Sequence, residues 1–321
     1  MTELLKGLAL GLVAFLAVNA AASALTLAVS RLRRRAGASM PPARRARALF
    51  ALRLFPAVAS TLAILLYFVP AYLAHEPFGS GETVGLPLVG LALLAGALLA
   101  VAGARCLRSW RDTRWLVGAL ARGAEPINLP GVGFPAYRIR HPFPVVTVLG
   151  VRRPRLYVAE QVLSGLDEAE RAAVLDHELA HVVSRDNLRH WLMCVCPDLL
   201  VLSAAGEALT RAWLTATEEA ADEAAARRTP RAALDLAAAL VKVARLVPRD
   251  CPALVPALAL HNGDDIARRV GRLLQGPPST EQPPRAGWAM AGLVLLAALP
   301  LYPPTLRLVH DLTERLLAFL S

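Results

Sequence analysis

The chain has 321 residues, 55% hydrophobic and 19% charged, with a mean hydropathy of +0.45 and a formal net charge of +10. That balance is too apolar for an ordinary soluble domain of this length and is the composition of a membrane protein. The positive charge does not imply direct nucleic-acid binding: many of the arginines sit beside apolar stretches, no nucleic-acid motif is present, and anionic membrane lipid is the expected partner.

Four stretches are long enough to cross a bilayer, which takes about 20 apolar residues. They are residues 7–29, 54–73, 84–104 and 286–306. The first is longer than the apolar core of a secretory signal and its basic residues follow it, so it reads as a retained span. Arg31, Arg33, Arg34, Arg35, Arg44, Arg45, Arg47 and Arg53 lie between spans one and two, whereas residues 74–83 contain no Lys or Arg. The positive-inside rule then places the first loop and the long segment after span three in the cytoplasm. Both termini are expected outside. Cys106, Cys194, Cys196 and Cys251 fall on the cytoplasmic side or at its boundary, where thiols stay reduced.

Within the cytoplasmic segment, residues 144–149 and 155–158 read as two short strands joined through Gly150 and Pro154. Such a pair offers an edge for an extended peptide or merely covers the core. A helix is expected next, with Asp167 as N-cap and Glu170 three residues on in a capping-box arrangement. Apolar residues recur along it at Ala172, Val174, Leu175, Leu179, Val182 and Val183.

This helix carries the sequence His177-Glu178-Leu179-Ala180-His181. Residues four apart share a helix face with Cβ atoms about 5–6 Å apart, close enough for two imidazoles to bind one tetrahedral ion. Glu178 follows the first histidine and is placed to take a proton from a water activated by the metal. A catalytic zinc site needs a third protein ligand. Glu218 and Asp222, again four apart on a helix expected over residues 211–228, supply a ligand and a carboxylate to orient a ligand histidine. Glu219 is the rival ligand, and an Ala-rich, Glu-rich helix also suits a solvated face.

Residues 191–205 are apolar but interrupted by Pro197 and Asp198, and read as a helix against the bilayer or inside the domain. A fifth span here would separate Glu218 from His177. Thr229-Pro230 marks the start of a helix reaching Val247. Residues 276–285 form a Pro-rich linker into span four.

These features resemble the BlaR/MecR-type integral-membrane zinc metallopeptidases, a gluzincin-like family. The resemblance rests on residues 150–158, on His177 to His181 followed by Arg185-Asp186-Asn187, on Glu218 to Asp222, and on Ala267-Arg268-Arg269-Val270 with Leu273-Leu274. HtpX-like and CAAX-prenyl-protease-like enzymes share the two motifs; the order of three spans, a cytoplasmic domain and a fourth span is what points to BlaR/MecR.

The resemblance implies a mainly α membrane protein, its cytoplasmic α+β zincin-like domain (residues 107–275) inserted between a three-span unit (1–106) and the linker, fourth span and short tail (307–321). It implies one Zn2+ per chain held by His177, His181 and Glu218, with Glu178 as catalytic base and Asp222 in support. A cytoplasmic winged-helix repressor is the substrate it suggests. Only residues 303–321 stand where beta-lactam sensors carry a penicillin-binding domain, so sensing by that route is not expected. Two alternatives stand beside regulated proteolysis: an HtpX-like quality-control protease, and a scaffold whose zinc is structural and closed by a fourth ligand such as Cys194, Cys196 or His190.

Overall fold

The computed structural model describes residues 2–35, 40–75, 85–247, 263–276 and 302–320. Three helical stretches are long and apolar enough to cross a membrane: Leu5–Leu32, Pro42–Ala74 and Leu86–Ala121. The first lies in α1 (Thr2–Arg35). The second is α2 (Pro42–Ala63), which passes through a π-helical turn at Ile64–Phe68 into α3 (Val69–His75). The third is α4 (Leu86–Ala121), which runs past its apolar part through Arg105, Arg108, Arg111 and Arg114 without a break at 106/107. Most of the expected fourth span lies outside the described residues; α5 to α10 follow the strands below, and α11 (Tyr302–Leu320) takes up the chain from its last five residues.

Two prolines shape the second span. Pro56 lies inside α2 and cannot donate to the carbonyl of Leu52; Thr26 Oγ1 of α1 approaches that carbonyl at 3.4 Å. Pro70 lies two residues beyond the π turn, and a proline ring crowds the carbonyl four residues back, so a widened turn at Ile64–Phe68 relieves it.

The sheet is mixed, in the order β1-β2-β4-β3. The hairpin anticipated from sequence is present as β3 (Val146–Leu149) and β4 (Arg155–Ala159), paired antiparallel. Its turn needs Gly150, whose φ is +101° and where a Cβ would sit 2.6 Å from the Arg153 carbonyl oxygen. Two further strands, β1 (Glu125–Ile127) and β2 (Ala136–Ile139), add on the β4 side, β2 parallel to β4. That leaves β3 on the outer edge. One core joins the end of α4, the sheet and the helices behind it through Leu120, Ile139, Val145, Leu156, Val162 and Ala239.

The helices α5 (Glu160–Gly165), α6 (Glu168–Ser184), α7 (Asp186–Val195), α8 (Ala204–Ala226), α9 (Ala232–Leu246) and α10 (Gly263–Gln275) complete the described part. The capping box forms as expected: Glu170 N donates to Asp167 Oδ1 at 2.9 Å and Asp167 N to Glu170 Oε2 at 3.0 Å. Of the apolar face read from sequence, Val174, Leu175 and Val182 pack partly buried against the core, but the fully buried positions of α6 are others. Glu170, Ala173 and His177 are buried, while Val183 is exposed. Helix α9 begins at Ala232 rather than at Pro230, since residues 229–231 form a turn closed by Ala232 N on the Thr229 carbonyl.

Residues 191–205 are not one helix. α7 stops at Val195 before Pro197, a 3-10 turn follows at Leu199–Leu202, and α8 starts at Ala204, seven residues earlier than expected. The turn packs so closely on α8 that a Cβ on Gly206 would lie 2.0 Å from the Leu200 carbonyl oxygen. This tip is seated among the spans. Asn19 of α1, fully buried, donates to the Pro197 carbonyl at 3.0 Å and to Ser60 Oγ at 3.1 Å, and its Oδ1 accepts from Leu199 N at 3.1 Å. Arg53 of α2 pairs with Asp198 at 2.7 Å, both side chains almost wholly buried. Breaking such a pair strands a charge away from water. Arg53→Ala or Asp198→Ala is therefore expected to destabilise the detergent-solubilised protein by about 3–5 kcal/mol, and Arg53→Met combined with Asp198→Asn by much less. Thermal unfolding of the three variants checks this, and an equal loss in all three would contradict it.

Candidate metal centre and active site

α6 and α8 bring the candidate residues together. His177 and His181 project from α6 with their Nε2 atoms 3.2 Å apart. Glu218 of α8 closes a triangle, Oε2 lying 3.5 Å from His177 Nε2 and Oε1 3.5 Å from His181 Nε2. A tetrahedral ion with ligand bonds of about 2.0–2.1 Å sets its donors about 3.3–3.4 Å apart; the two imidazoles stand at that spacing, and Glu218 turns one oxygen to each of them. Among the described residues they form the group able to hold a metal ion, and Cys194 and Cys196 stand outside it.

Both rings are held from behind. His181 Nδ1 lies 2.9 Å from Asp186 Oδ2, and His177 Nδ1 lies 3.0 Å from Asp222 Oδ1, the latter at ion-pair distance with its N–H direction poorly aligned. Carboxylates at Nδ1 favour the tautomer that leaves Nε2 unprotonated and free to bind a metal. Asp186 reaches back because Arg185 takes up a left-handed conformation, φ 54°, which turns the chain sharply from α6 into α7. A side chain larger than Gly or Asn is uncommon there, and the strain sits beside the functional site.

Asp222 is itself fixed by Arg269 of α10, whose Nε and Nη2 donate to its two oxygens at 2.8 and 2.6 Å, while Nη1 stands 3.0 Å from Glu218 Oε2. Glu219 is turned away from the centre. It is buried and held by Arg45 of α2 and Arg272 of α10, so it is not in reach as the third ligand.

The charges shift one another. Burial pulls His177 toward neutrality, but the Asp222 and Glu218 carboxylates outweigh it and push its pKa up to about 10. Burial raises Glu218 and Asp222 as well, but the close His177 ring, joined by Arg269, outweighs it and brings both below the usual carboxylate range. Burial likewise opposes the Arg269 charge, but Asp222 and Glu218 hold its pKa above the ordinary value. Glu178 differs: burial dominates and lifts its carboxyl above the ordinary range, against the pull of His177 and His181. A raised carboxyl in a cavity is the condition for a general base working near neutral pH.

A cavity of about 260 Å³ holds His177, Glu178, His181, Glu218 and Arg269, with β3 along one wall. His190 also lines it, stacked on Trp213 with ring centroids 6.0 Å apart. Asp186 and Arg269 are parts of the site to which the sequence reading gave no role. Asp186 sits five residues beyond His181 across a helix break, and Arg269 lies 47 residues beyond Asp222, so neither has a spacing signature.

A histidine pair on one helix, completed by a carboxylate from a second and set beside the edge of a small sheet, is how zincin-like metallopeptidases build their centres, and the fold places this chain in that class. Sequence comparison agrees: residues 112–282 match the model of peptidase family M48, more than half of the chain, and the chain belongs to that family. M48 peptidases are zinc-dependent. No curated protein matches the chain. The donor geometry predicts that Glu218→Ala abolishes stoichiometric zinc, that Asp222→Ala weakens binding about 10–100-fold, and that Glu219→Ala leaves zinc at one per chain. Metal analysis after dialysis against a competing chelator checks this; zinc lost with Glu219→Ala and kept with Glu218→Ala would reverse the assignment.

Proposed function

We propose that this protein is an integral-membrane zinc endopeptidase that cuts a cytoplasmic or membrane-associated protein at the cytoplasmic face. The observation that carries the reading is the convergence of His177, His181 and Glu218, one donor atom of each within 4.8 Å of the others, with Glu178 adjacent, in an M48 chain that also has three membrane-length helices. Zinc, when bound, supplies Lewis acidity to the carbonyl and lowers the pKa of water. His177, His181 and Glu218 hold it, and Asp222 and Asp186 fix the ring tautomers. Glu178 accepts the proton of the attacking water and delivers it to the departing amine. The outward edge of β3 is the place for an extended substrate.

The proposed membrane arrangement is four spans in the cytoplasmic membrane, both termini outside, with residues 107–275 as the cytoplasmic peptidase. Two contacts support it. Arg45, in the Arg-rich stretch, pairs with Glu219 beside the site, which puts the basic loop at the peptidase end. α11 packs on α3 and the π turn, at the end where Tyr72 meets Gly7 of α1, which is where a fourth span starting at the peptidase end would deliver it. The arginines at the peptidase end suit anionic lipid.

The proposed order of three spans, peptidase and fourth span suits a BlaR/MecR-type role, with a winged-helix repressor as substrate; an HtpX-like quality-control protease would instead cut many unrelated proteins. A structural-zinc scaffold needs a fourth protein ligand, and none joins the three among the described residues. Glu178→Ala is expected to keep one zinc per chain and lose cleavage of a casein-like substrate by about 10²–10⁴-fold. Undiminished cleavage in a zinc-loaded Glu178→Ala protein would sink the peptidase reading.

A further inference from the structure

A second cavity, about 500 Å³, opens on the other side of Glu178. It lies between residues 127–134, the sheet and the first turns of α6, and its apolar wall includes Leu129, Val132, Phe134, Leu163 and Leu175. Val146, Val174 and Glu178 line this cavity and the metal cavity alike, so the two meet at the proposed base. Its size falls within the range of about 300–1,000 Å³ usual for ligand pockets.

The arginines in its lining are already engaged. Arg138 pairs with Glu125 and Glu160, Arg228 with Asp176 at 3.0 Å, and Arg171 donates to the Leu163 carbonyl at 2.8 Å. What they leave to a ligand is a mostly apolar wall, with Asn128 and Glu168 as polar groups in the lining and Glu178 where the two cavities meet. The strand edge gives the direction of approach. Ala159 N donates to the Val145 carbonyl at 2.7 Å, so by antiparallel alternation the backbone groups of Val146 and Val148 point away from β4. Asn187 Nδ2 takes the Val148 carbonyl at 2.8 Å, which confines pairing to the neighbourhood of Val146. A peptide paired there lies against Glu178, and side chains alternate along it, every second one facing the same way.

Resting on the peptidase reading, we propose that this cavity is a specificity pocket for one large apolar side chain, leucine- or phenylalanine-like, beside the scissile bond of the substrate. A single methylene in an apolar pocket discriminates by about 10–200-fold, so substrates with Leu or Phe at this position are cut at least ~10-fold better than those with Ala, and those with Asp more poorly still. Ala172 is an exposed lining residue outside the metal set, and Ala172→Phe fills the pocket from α6.

The test uses full-length zinc-loaded protein in detergent and a degenerate peptide mixture whose products are sequenced by mass spectrometry. Binding of labelled Leu, Phe, Ala and Asp peptides to Glu178→Ala protein is measured in parallel. The expected result is enrichment of Leu and Phe at one position next to the cut, the same order in binding, and loss of that preference in Ala172→Phe protein that still holds one zinc per chain. Val132→Phe, from the opposite wall, repeats the test should Ala172→Phe fail to retain zinc. No preference in the wild type, or a preference untouched by a folded pocket-filling variant, overturns the proposal. Apolar-selective binding without cleavage of any peptide would support the pocket and refute the peptidase reading, which keeps the two separable.

Discussion

Buried charge at the contact between α6 and α8 is the constraint on which the catalytic half depends. Besides Asp186, which Arg189 pairs at 3.3 Å, Glu178, Glu218 and Asp222 bring three carboxylates into one region, and Arg269 brings one guanidinium. Uncompensated charges in a low-dielectric interior are costly, and two negative charges remain after Arg269 is counted. A divalent cation between the Nε2 atoms and Glu218 offsets them; a proton on His177 does so in part, which is why the same carboxylates raise the pKa of that ring. The site is thus built around a positive charge, and α10 is drawn into it because Arg269 is needed to hold Asp222.

The neighbouring carboxylate shows the same rule with another outcome. Glu219 is one residue from Glu218, yet the helix turns it about 100° away, as 3.6 residues per turn requires. There it meets Arg45 and Arg272 and links α8 to the membrane helix α2 and to α10. Adjacent glutamates divide between the candidate metal centre and its attachment.

Much of this was legible because it is local. The capping box, the histidines at i and i+4, and Glu218 with Asp222 all follow from helix periodicity, which sequence displays directly. The hairpin β3-β4 was legible through Gly150 and Pro154. Residues 125–127 and 136–139 were not, since strands of three and four residues gain their identity from pairing, β2 with a β4 that lies nearly twenty positions on. Arg269 and Asp186 were quoted among family-like residues without a role, because their partners are set by how α10 and the Arg185 turn fold back. The face of α6 was legible in part: Val174, Leu175 and Val182 pack on the core, but the burial of Glu170 follows charge compensation by Lys242 of α9, which hydropathy does not display.

The tip at residues 196–203 gives the membrane helices a part in the geometry of the centre. Helix α8 starts at Ala204, directly after the turn that Asn19 and Arg53 hold, and Glu218 lies fourteen residues further on, about 21 Å along an unbroken helix. α7 begins at Asp186, the partner of His181, and runs into the same tip. Both elements that position ligands from outside α6 are therefore fastened at one end to α1 and α2. A boundary drawn between spans and peptidase divides a helix at α4 and ignores these bonds. The stiffness of α8 means that the distance from Asn19 to Glu218 is set by helix geometry rather than by a linker, so the spans serve as part of the scaffold that holds the third donor in place.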